Sequence, residues 1–579
     1  MPMRKYWQYL KPYWLFILLA PLSMALEVAM DLWQPNIMSV IIDQAIPTGD
    51  IHYIIQLSLK MIGIALIGMI GGFGCIFFSS IVGQRSGAKL RDDLFRHIQD
   101  FSFSNLDHYS SSSLVVRLTN DINQLQQMVM MMLRMLIRAP LLFIGGIIMT
   151  VSINAKLALI LLVTIPLLTL VLIIIIKKGF PLFSLAQKKL DRLNSIIQEN
   201  LSAIRVVKSF VREKQQIERF QQSNQSLFET NYKAFQMMVL TMPLIMLIMN
   251  LSTIALLWFG GKSILKGSIQ VGQIMAMIQY FNYILFALFM VAFFMIMISR
   301  AKASSNRVLE VLNEKVDIYN PSNPVTERSK KGKLQFQDVL FSFDDGSNVS
   351  VLSNVSFSIE PGEVVALMGA TGSGKTTLVS LIPRLYDIQK GKIELDGVDV
   401  RQYDLIILRQ SISLVTQDSI LFSGTIRENI RWGLPEATDE EVDWACKMAQ
   451  ASDFINHFPD GFDTIIGQKG INLSGGQRQR LCIARALVRK PSLLILDDSL
   501  SAMDTGTEAR IWQALKSLQP RMTILMIAQR ISTIKEADKI LLLDEGTIVS
   551  QGTHENLIQS SPLYRDIIQS QDSIGIQHG

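Results

Sequence analysis

Gly369-Ala370-Thr371-Gly372-Ser373-Gly374-Lys375-Thr376-Thr377 is the stretch whose reading decides the fold. It fits the pattern Gly-x4-Gly-Lys-Ser/Thr, follows the apolar run 364–368 and opens the helical run 376–385, which is the strand, loop, helix context a phosphate loop needs. Glycines let successive N–H groups curl around phosphate oxygens at a helix N-terminus, Lys375 adds a point charge, and Thr376 offers a hydroxyl to Mg²⁺. Leu-Leu-Ile-Leu-Asp at 493–497 reads as an apolar strand ending in Asp497, placed to hold Mg²⁺ through water. Leu473-Ser474-Gly475-Gly476-Gln477 precedes a helical run to Val488 and makes a second helix N-terminus suited to phosphate. Around these motifs, apolar runs at 334–343, 363–368, 412–416, 492–496, 522–527 and 539–543 alternate with helical stretches. Residues 333–579 therefore read as a cytoplasmic α/β nucleotide-binding domain with a largely buried sheet, and 420–490 as a more helical subdomain inside it.

The other half of the 579-residue chain is of a different character. Mean hydropathy is +0.30, and the apolar residues concentrate near 13–35, 54–82, 128–151, 157–176, 236–259 and 271–299, each long enough to span a bilayer. The fold class is thus an all-α six-helix membrane domain over 1–312, a breaker-rich linker over 313–332, and the α/β domain from 333 onward. The polar stretches 84–127 and 186–235 keep apolar residues at helical spacing, so they read as membrane helices continuing into the cytoplasm, with turns near Ser110–Ser113 and Ser202-Ala203. Net charge is +6, but the basic residues concentrate between helices two and three and between helices four and five, which places both termini in the cytoplasm and explains the charge without nucleic acid. Cys75, Cys446 and Cys482 show no metal-ligand spacing and read as free thiols. The first apolar segment lacks a small-residue cleavage site and reads as a retained helix.

On these motifs the chain resembles, from about residue 5 to 570, a bacterial ABC exporter half-transporter, and most of all the degenerate-site subunit of heterodimeric ABC multidrug exporters. The resemblance extends to Phe343, where an aromatic stacks on adenine, Gln417 at the Q-loop, Ser501-Ala502-Met503-Asp504 at the D-loop, and an ABC signature at Leu473–Gln477. The stretches 117–121 and 198–207 resemble two intracellular segments that dock on ATP-binding domains. What it implies is ATP and Mg²⁺ as cofactors, with Thr376 and Gln417 on the metal, and a multi-pass place in the lipid of a bacterial plasma membrane. It further implies a hydrophobic or amphiphilic transported substrate, and a second half-transporter whose ATP is capped by Ser474, Gly475, Gly476 and Gln477 of this chain.

The departures from that pattern are Asp498, where the family usually has a catalytic glutamate, and Gln529, where it usually has a switch histidine. No histidine occurs between His457 and His554. Asp498 is one methylene short, and Gln529 cannot carry the charge of a protonated histidine; both catalytic positions are degenerate, so strong binding with weak hydrolysis is expected at this chain's own loop. Gln468 stands where the resemblance would have glutamate. Rival readings are a homodimeric lipid, drug or peptide exporter with a slow ATPase, and an ATP-gated channel or regulatory subunit. In the membrane half, Glu27 and Asp31 share a face of helix one, as do Arg134 and Arg138 of helix three. They read either as a polar patch in a translocation cavity or as interhelical ion pairs. Phe286, Met290, Phe293 and Met297 form an aromatic and thioether stripe on helix six, either substrate-facing or packed. Gly68 and Gly72 read as a close helix contact.

Overall fold

The structure, a computed structural model, describes the backbone of residues 2–343, 349–518, 521–528 and 530–576. Contacts divide the chain into two compact units: Met1–Gln99 with Ser111–Asn313, and Asp100–Ser110 with Glu314–Gly579.

In the first unit six helices are long and apolar enough to cross a membrane: Tyr6–Thr48, Ile51–Gln99, Ser111–Ile153, Ala155–Ser202, Glu213–Leu265 and Val271–Val291, the last within a helix that continues to Asn313. Each contains most or all of one apolar stretch read from the sequence. In hydrocarbon no water competes for the backbone, so helices persist through internal prolines such as Pro35, Pro140 and Pro243. Helix two, at 49 residues, and helix five, at 53, far exceed the roughly 20 residues a bilayer requires, as the helical spacing of their polar ends predicts. The chain turns at Ala203, beside Ser202 as expected.

Helices one and two approach closely at four glycines, Gly68, Gly71, Gly72 and Gly74, a Cβ on the last lying 3.0 Å from Ser23 Oγ. A Cβ on Gly71 would lie 2.8 Å from the Ser23 carbonyl oxygen and 2.9 Å from the Glu27 nitrogen, and one on Gly72 would lie 2.8 Å from Glu27 Oε2. Gly68 faces Met30 Cβ at 3.2 Å. The pair at 68 and 72 was legible by its spacing; the tightest backbone contact is at Gly71, between them. Helices four and five pair with one another, through Leu168, Ile245 and Ile248 and a 3.0 Å hydroxyl contact between Thr164 and Ser252.

The second unit is built on a six-stranded sheet in the order Thr547–Gly552, Lys539–Asp544, Val364–Met368, Thr523–Ile527, Leu493–Asp497, Ile412–Val415. Only the first pair is antiparallel. Val364–Met368, Leu493–Asp497 and Thr523–Ile527 are buried along their whole length, which is why they read as unbroken apolar runs. Ile527 is in register with Leu367 on one side and Asp497 on the other. The carboxyl ends of these three strands are therefore level, and their loops emerge together, where open parallel sheets place ligands. A second, antiparallel sheet joins Leu352–Ile359, Leu334–Phe341, Lys390–Leu395 and Val398–Asp399.

Candidate functional site

The phosphate loop leaves Val364–Met368 and enters the helix Lys375–Leu381. Gly372 (φ 86°) and Gly374 (φ 97°) occupy the left-handed region that a Cβ disfavours. Around Gly372 there is open space, as a cradle for an external ligand requires. Ser373 is buried, and Thr371 and Thr376 are exposed at the rim, with Thr377 half-buried. Lys375 Nζ donates to the Gly369 and Ala370 carbonyls at 3.0 and 2.7 Å, holding the ammonium across the loop. A cavity of about 250 Å³ beside it is lined by Gly369, Thr371, Lys375 and Asp544.

Thr376 Oγ1 lies 3.3 Å from Asp497 Oδ1. A hydroxyl and a carboxylate so placed are hard oxygen donors of the kind Mg²⁺ takes, so the residues present fit the metal. Gln417 is exposed just beyond the strand Ile412–Val415. Burial pushes the Asp497 carboxyl up, opposed by the Thr376 hydroxyl and reinforced by the charge of Asp498. Asp498 is likewise pushed up by burial against Lys375 and Arg530, while burial pulls Lys375 down.

Asp498 has φ 46°, a region where Asp is better tolerated than most residues. Its N–H donates to the Ile527 carbonyl at 3.2 Å, and its own carbonyl accepts from Ser501 Oγ at 2.9 Å. The backbone is held on both sides. Gln529 and the side chain of Phe293 lie outside the described residues.

Ser474 caps the helix Gly475–Leu487 in a reciprocal capping box: its Oγ accepts from Gln477 N at 3.3 Å and its N–H donates to Gln477 Oε1 at 2.9 Å. The amides of Gly475 and Gly476 have no intrahelical acceptor. The buried Gln479 accepts from Ala502 N at 3.3 Å, tying this helix to the turn that ends at Asp504, itself the N-cap of Thr505–Lys516. Arg530 donates to the Ser501 and Met503 carbonyls at 3.0 and 3.1 Å and pairs with Glu508 at 2.8 Å. Gln479 and Arg530 were not singled out by motif; their only signal is adjacency to the signature and to Gln529.

Phe343 packs edge-on against Phe341 and Tyr386, with ring centroids 5.0 and 5.4 Å away. Tyr386 also meets Phe103 at 6.0 Å and donates to Asp107 at 2.8 Å. Burial and the Asp107 carboxylate both push its hydroxyl upward. Phe103 and Asp107 lie in the short helix Phe103–Asp107, capped by Ser102 and Asn105, and Asn105 also donates to the Lys315 carbonyl at 2.9 Å. The segment that packs with the ATPase unit is thus Asp100–Ser110. The stretch at 117–121 lies in the membrane unit, where Arg117 meets the Arg307 carbonyl and Glu310 and Asp121 is paired with Arg307.

Arg138 bridges both acids of helix one, Nη1 to Glu27 at 2.5 Å and Nη2 to Asp31 at 3.2 Å. Arg134 instead donates to Ser79 Oγ at 2.8 Å, Ser80 Oγ at 3.2 Å and the Ile76 carbonyl at 3.2 Å. Three of the four charges thus meet as an ion-pair cluster between helices one and three, while Arg134 bonds to helix two. On helix six, Phe286 is exposed, Met297 is half-buried, and Met290 is buried against Met24, Ala139 and Leu142.

A phosphate loop, a second phosphate-suited helix N-terminus and six membrane helices on one chain define an ATP-driven membrane transport subunit. Residues 17–288 match the family described as ABC transporter transmembrane region, and 352–501 match ABC transporter. The chain is 43% identical over 569 residues to the Uncharacterized ABC transporter ATP-binding protein YfiB of Bacillus subtilis, covering 98% of each. It is 36% identical over 568 residues to the Uncharacterized ABC transporter ATP-binding protein Rv1273c of Mycobacterium tuberculosis, covering 97% of each. Its fold is similar to a solved structure described as a bacterial Atm1-family ABC exporter with ATP bound, with TM-score 0.75, 24% identity, and coverage of 96% of this chain and 98% of that one. The chain belongs to the ABC transporter family. It is a multi-pass membrane protein of exporter fold whose cytoplasmic ABC domain binds and hydrolyses ATP to drive transport.

Proposed function

We propose that this chain is one half of a heterodimeric exporter for hydrophobic or amphiphilic compounds, binding ATP at a low-turnover site and capping the partner's active site through Ser474–Gln477. The observation that carries this reading is the fixed backbone of Asp498, bonded at its N–H to Ile527 and at its carbonyl to Ser501. A carboxylate one methylene short is drawn back on the order of 1 Å, and a backbone held on both sides cannot advance to compensate; misplacements of that size cost ~100-fold in rate. Phe343 offers a ring to adenine, the loop amides and Lys375 hold the phosphates, and Thr376 and Gln417 would hold Mg²⁺, with Asp497 acting through water. When bound, Mg²⁺ neutralises charge on the phosphates.

The test inactivates the catalytic glutamate of the second subunit and measures ATP turnover with and without Asp498→Glu and Gln529→His together. Restored turnover supports the reading, and no gain moves the cause to the other side of the interface. Robust turnover by a purified homodimer would instead establish the homodimeric reading, and ATP-dependent ion conductance without vectorial transport the channel reading.

A further inference from the structure

Between the N-terminal helix Pro2–Leu10 and helices two, three and six lies a cavity of about 390 Å³, outside every site described above. Its wall is almost wholly apolar, with Leu10, Val82, Met128 and Met132 among its residues, and it carries polar groups at Tyr6, Lys302 and Ser305. Tyr6 is 6% exposed, with its hydroxyl enclosed beside Ser86, which donates its own proton to the Gly83 carbonyl. Lys302 is exposed and forms no ion pair among the described residues.

The position along the chain is that of the cytoplasmic interface. Lys302 lies three residues beyond the apolar stretch 271–299, Trp7 is exposed on the N-terminal helix, and Arg4, Lys5 and Lys11 add basic residues to the N-terminal stretch of sequence. Aromatic and basic residues so grouped mark the level of lipid headgroups on the cytoplasmic side.

We propose that this cavity holds one acyl chain of an anionic glycerophospholipid from the cytoplasmic leaflet, with the Lys302 ammonium turned to its headgroup end. A methylene is about as large as a water, roughly 30 Å³, so the volume takes about a dozen methylenes, most of one chain. The unbranched thioethers Met128 and Met132 adapt to such an occupant. The charge at the mouth is positive, which selects an anionic headgroup over a zwitterionic one.

The assembled transporter is placed in nanodiscs of phosphatidylglycerol and phosphatidylethanolamine containing a phosphatidylglycerol with a diazirine in one acyl chain, irradiated, and its adducts are mapped by mass spectrometry. Adducts are expected on 6–10 and 125–133. Met132→Trp, at a partly exposed wall position, should fill the cavity and remove them, while Met132→Leu keeps them and shows that loss reflects filling rather than misfolding. Lys302→Glu should lower labelling by about fivefold for each charge step lost, since one basic residue near an anionic headgroup is worth roughly that factor, and should leave labelling by the phosphatidylethanolamine analogue nearly unchanged. The proposal is overturned if adducts spread evenly over all membrane helices, if Met132→Trp labels like the parent, or if a cysteine at position 132 cross-links to a helix of the second subunit that fills the cavity.

Discussion

At the scale of single residues, the side chains with most to lose are those whose neighbours leave no alternative partner. Lys375 is held at the loop by the Gly369 and Ala370 carbonyls and faces Asp497 and Asp498. Lys375→Ala should abolish photolabelling of this chain by an azido-ATP while leaving labelling of a second subunit; retained labelling here would remove the loop from ATP binding. Arg138 bridges Glu27 and Asp31, all three partly buried. Breaking a fully buried pair costs about 3–5 kcal/mol, so Arg138→Ala should lower the melting temperature by a part of that, and adding Glu27→Gln with Asp31→Asn should recover most of it. A normal melting temperature with altered transport would instead favour the cavity reading of these charges. The thiol of Cys446 is fully buried and pushed up to about 12 by burial, and burial also raises Cys482 against the pull of Arg485. Because the thiolate is the reactive form, Cys446 should not react with an alkylating reagent in the native protein near neutral pH and should react once it is denatured, while the half-exposed Cys482 should react more slowly than a free thiol; a native mass shift on Cys446 would contradict its burial.

At the scale of elements, the signature helix shows how one short motif serves both fold and chemistry. Ser474 and Gln477 satisfy each other's backbone donors, and the small Gly475 and Gly476 between them let the turn at Ala502 approach, with its carbonyl 3.3 Å from where a Gly476 Cβ would stand. Losing an N-cap hydroxyl costs about 1 kcal/mol, so Ser474→Ala should destabilise the isolated helix only modestly, visible as a small drop in melting temperature. The helix N-terminus at 474–477 was legible without any structure, as was each fully buried strand, because an unbroken apolar run such as 493–496 has no polar face to disguise it; the reciprocal cap within that terminus was not read. The strands Leu352–Ile359 and Lys390–Leu395 were not read for the opposite reason: they lie in a half-exposed antiparallel sheet, where apolar residues are interleaved with polar ones or interrupted by Gly391 instead of forming an unbroken run. The glycine contact of helices one and two was half legible. Spacing pointed to Gly68 and Gly72, but the residue nearest the opposing backbone is Gly71, which only the rotation of two packed helices determines.

At the scale of the whole molecule, the question is how a membrane segment and a nucleotide site come to share residues. Asp100–Ser110 leaves helix two at Gln99 and rejoins helix three at Ser111, yet its contacts are with the ATPase unit. Sequence placed the turn nearby, at the serines, but gave no sign of this allegiance, since the partners of Asn105 and Asp107 are more than 200 residues away in the chain. Tyr386 is the side chain that touches both ends, the ring of Phe103 and the carboxylate of Asp107 on one side and the ring of Phe343 on the other. Tyr386→Phe keeps the aromatic packing and removes only the bond to Asp107. The expected outcome is unchanged ATP affinity, measured by labelling at graded nucleotide concentrations, with a severalfold loss in the stimulation of ATPase activity by transported substrate. Asp107→Asn preserves an acceptor for the hydroxyl and should retain most of that stimulation. If Tyr386→Phe instead weakens ATP binding with stimulation intact, the ring acts only by orienting Phe343 toward adenine, and the link to Asp100–Ser110 carries no signal.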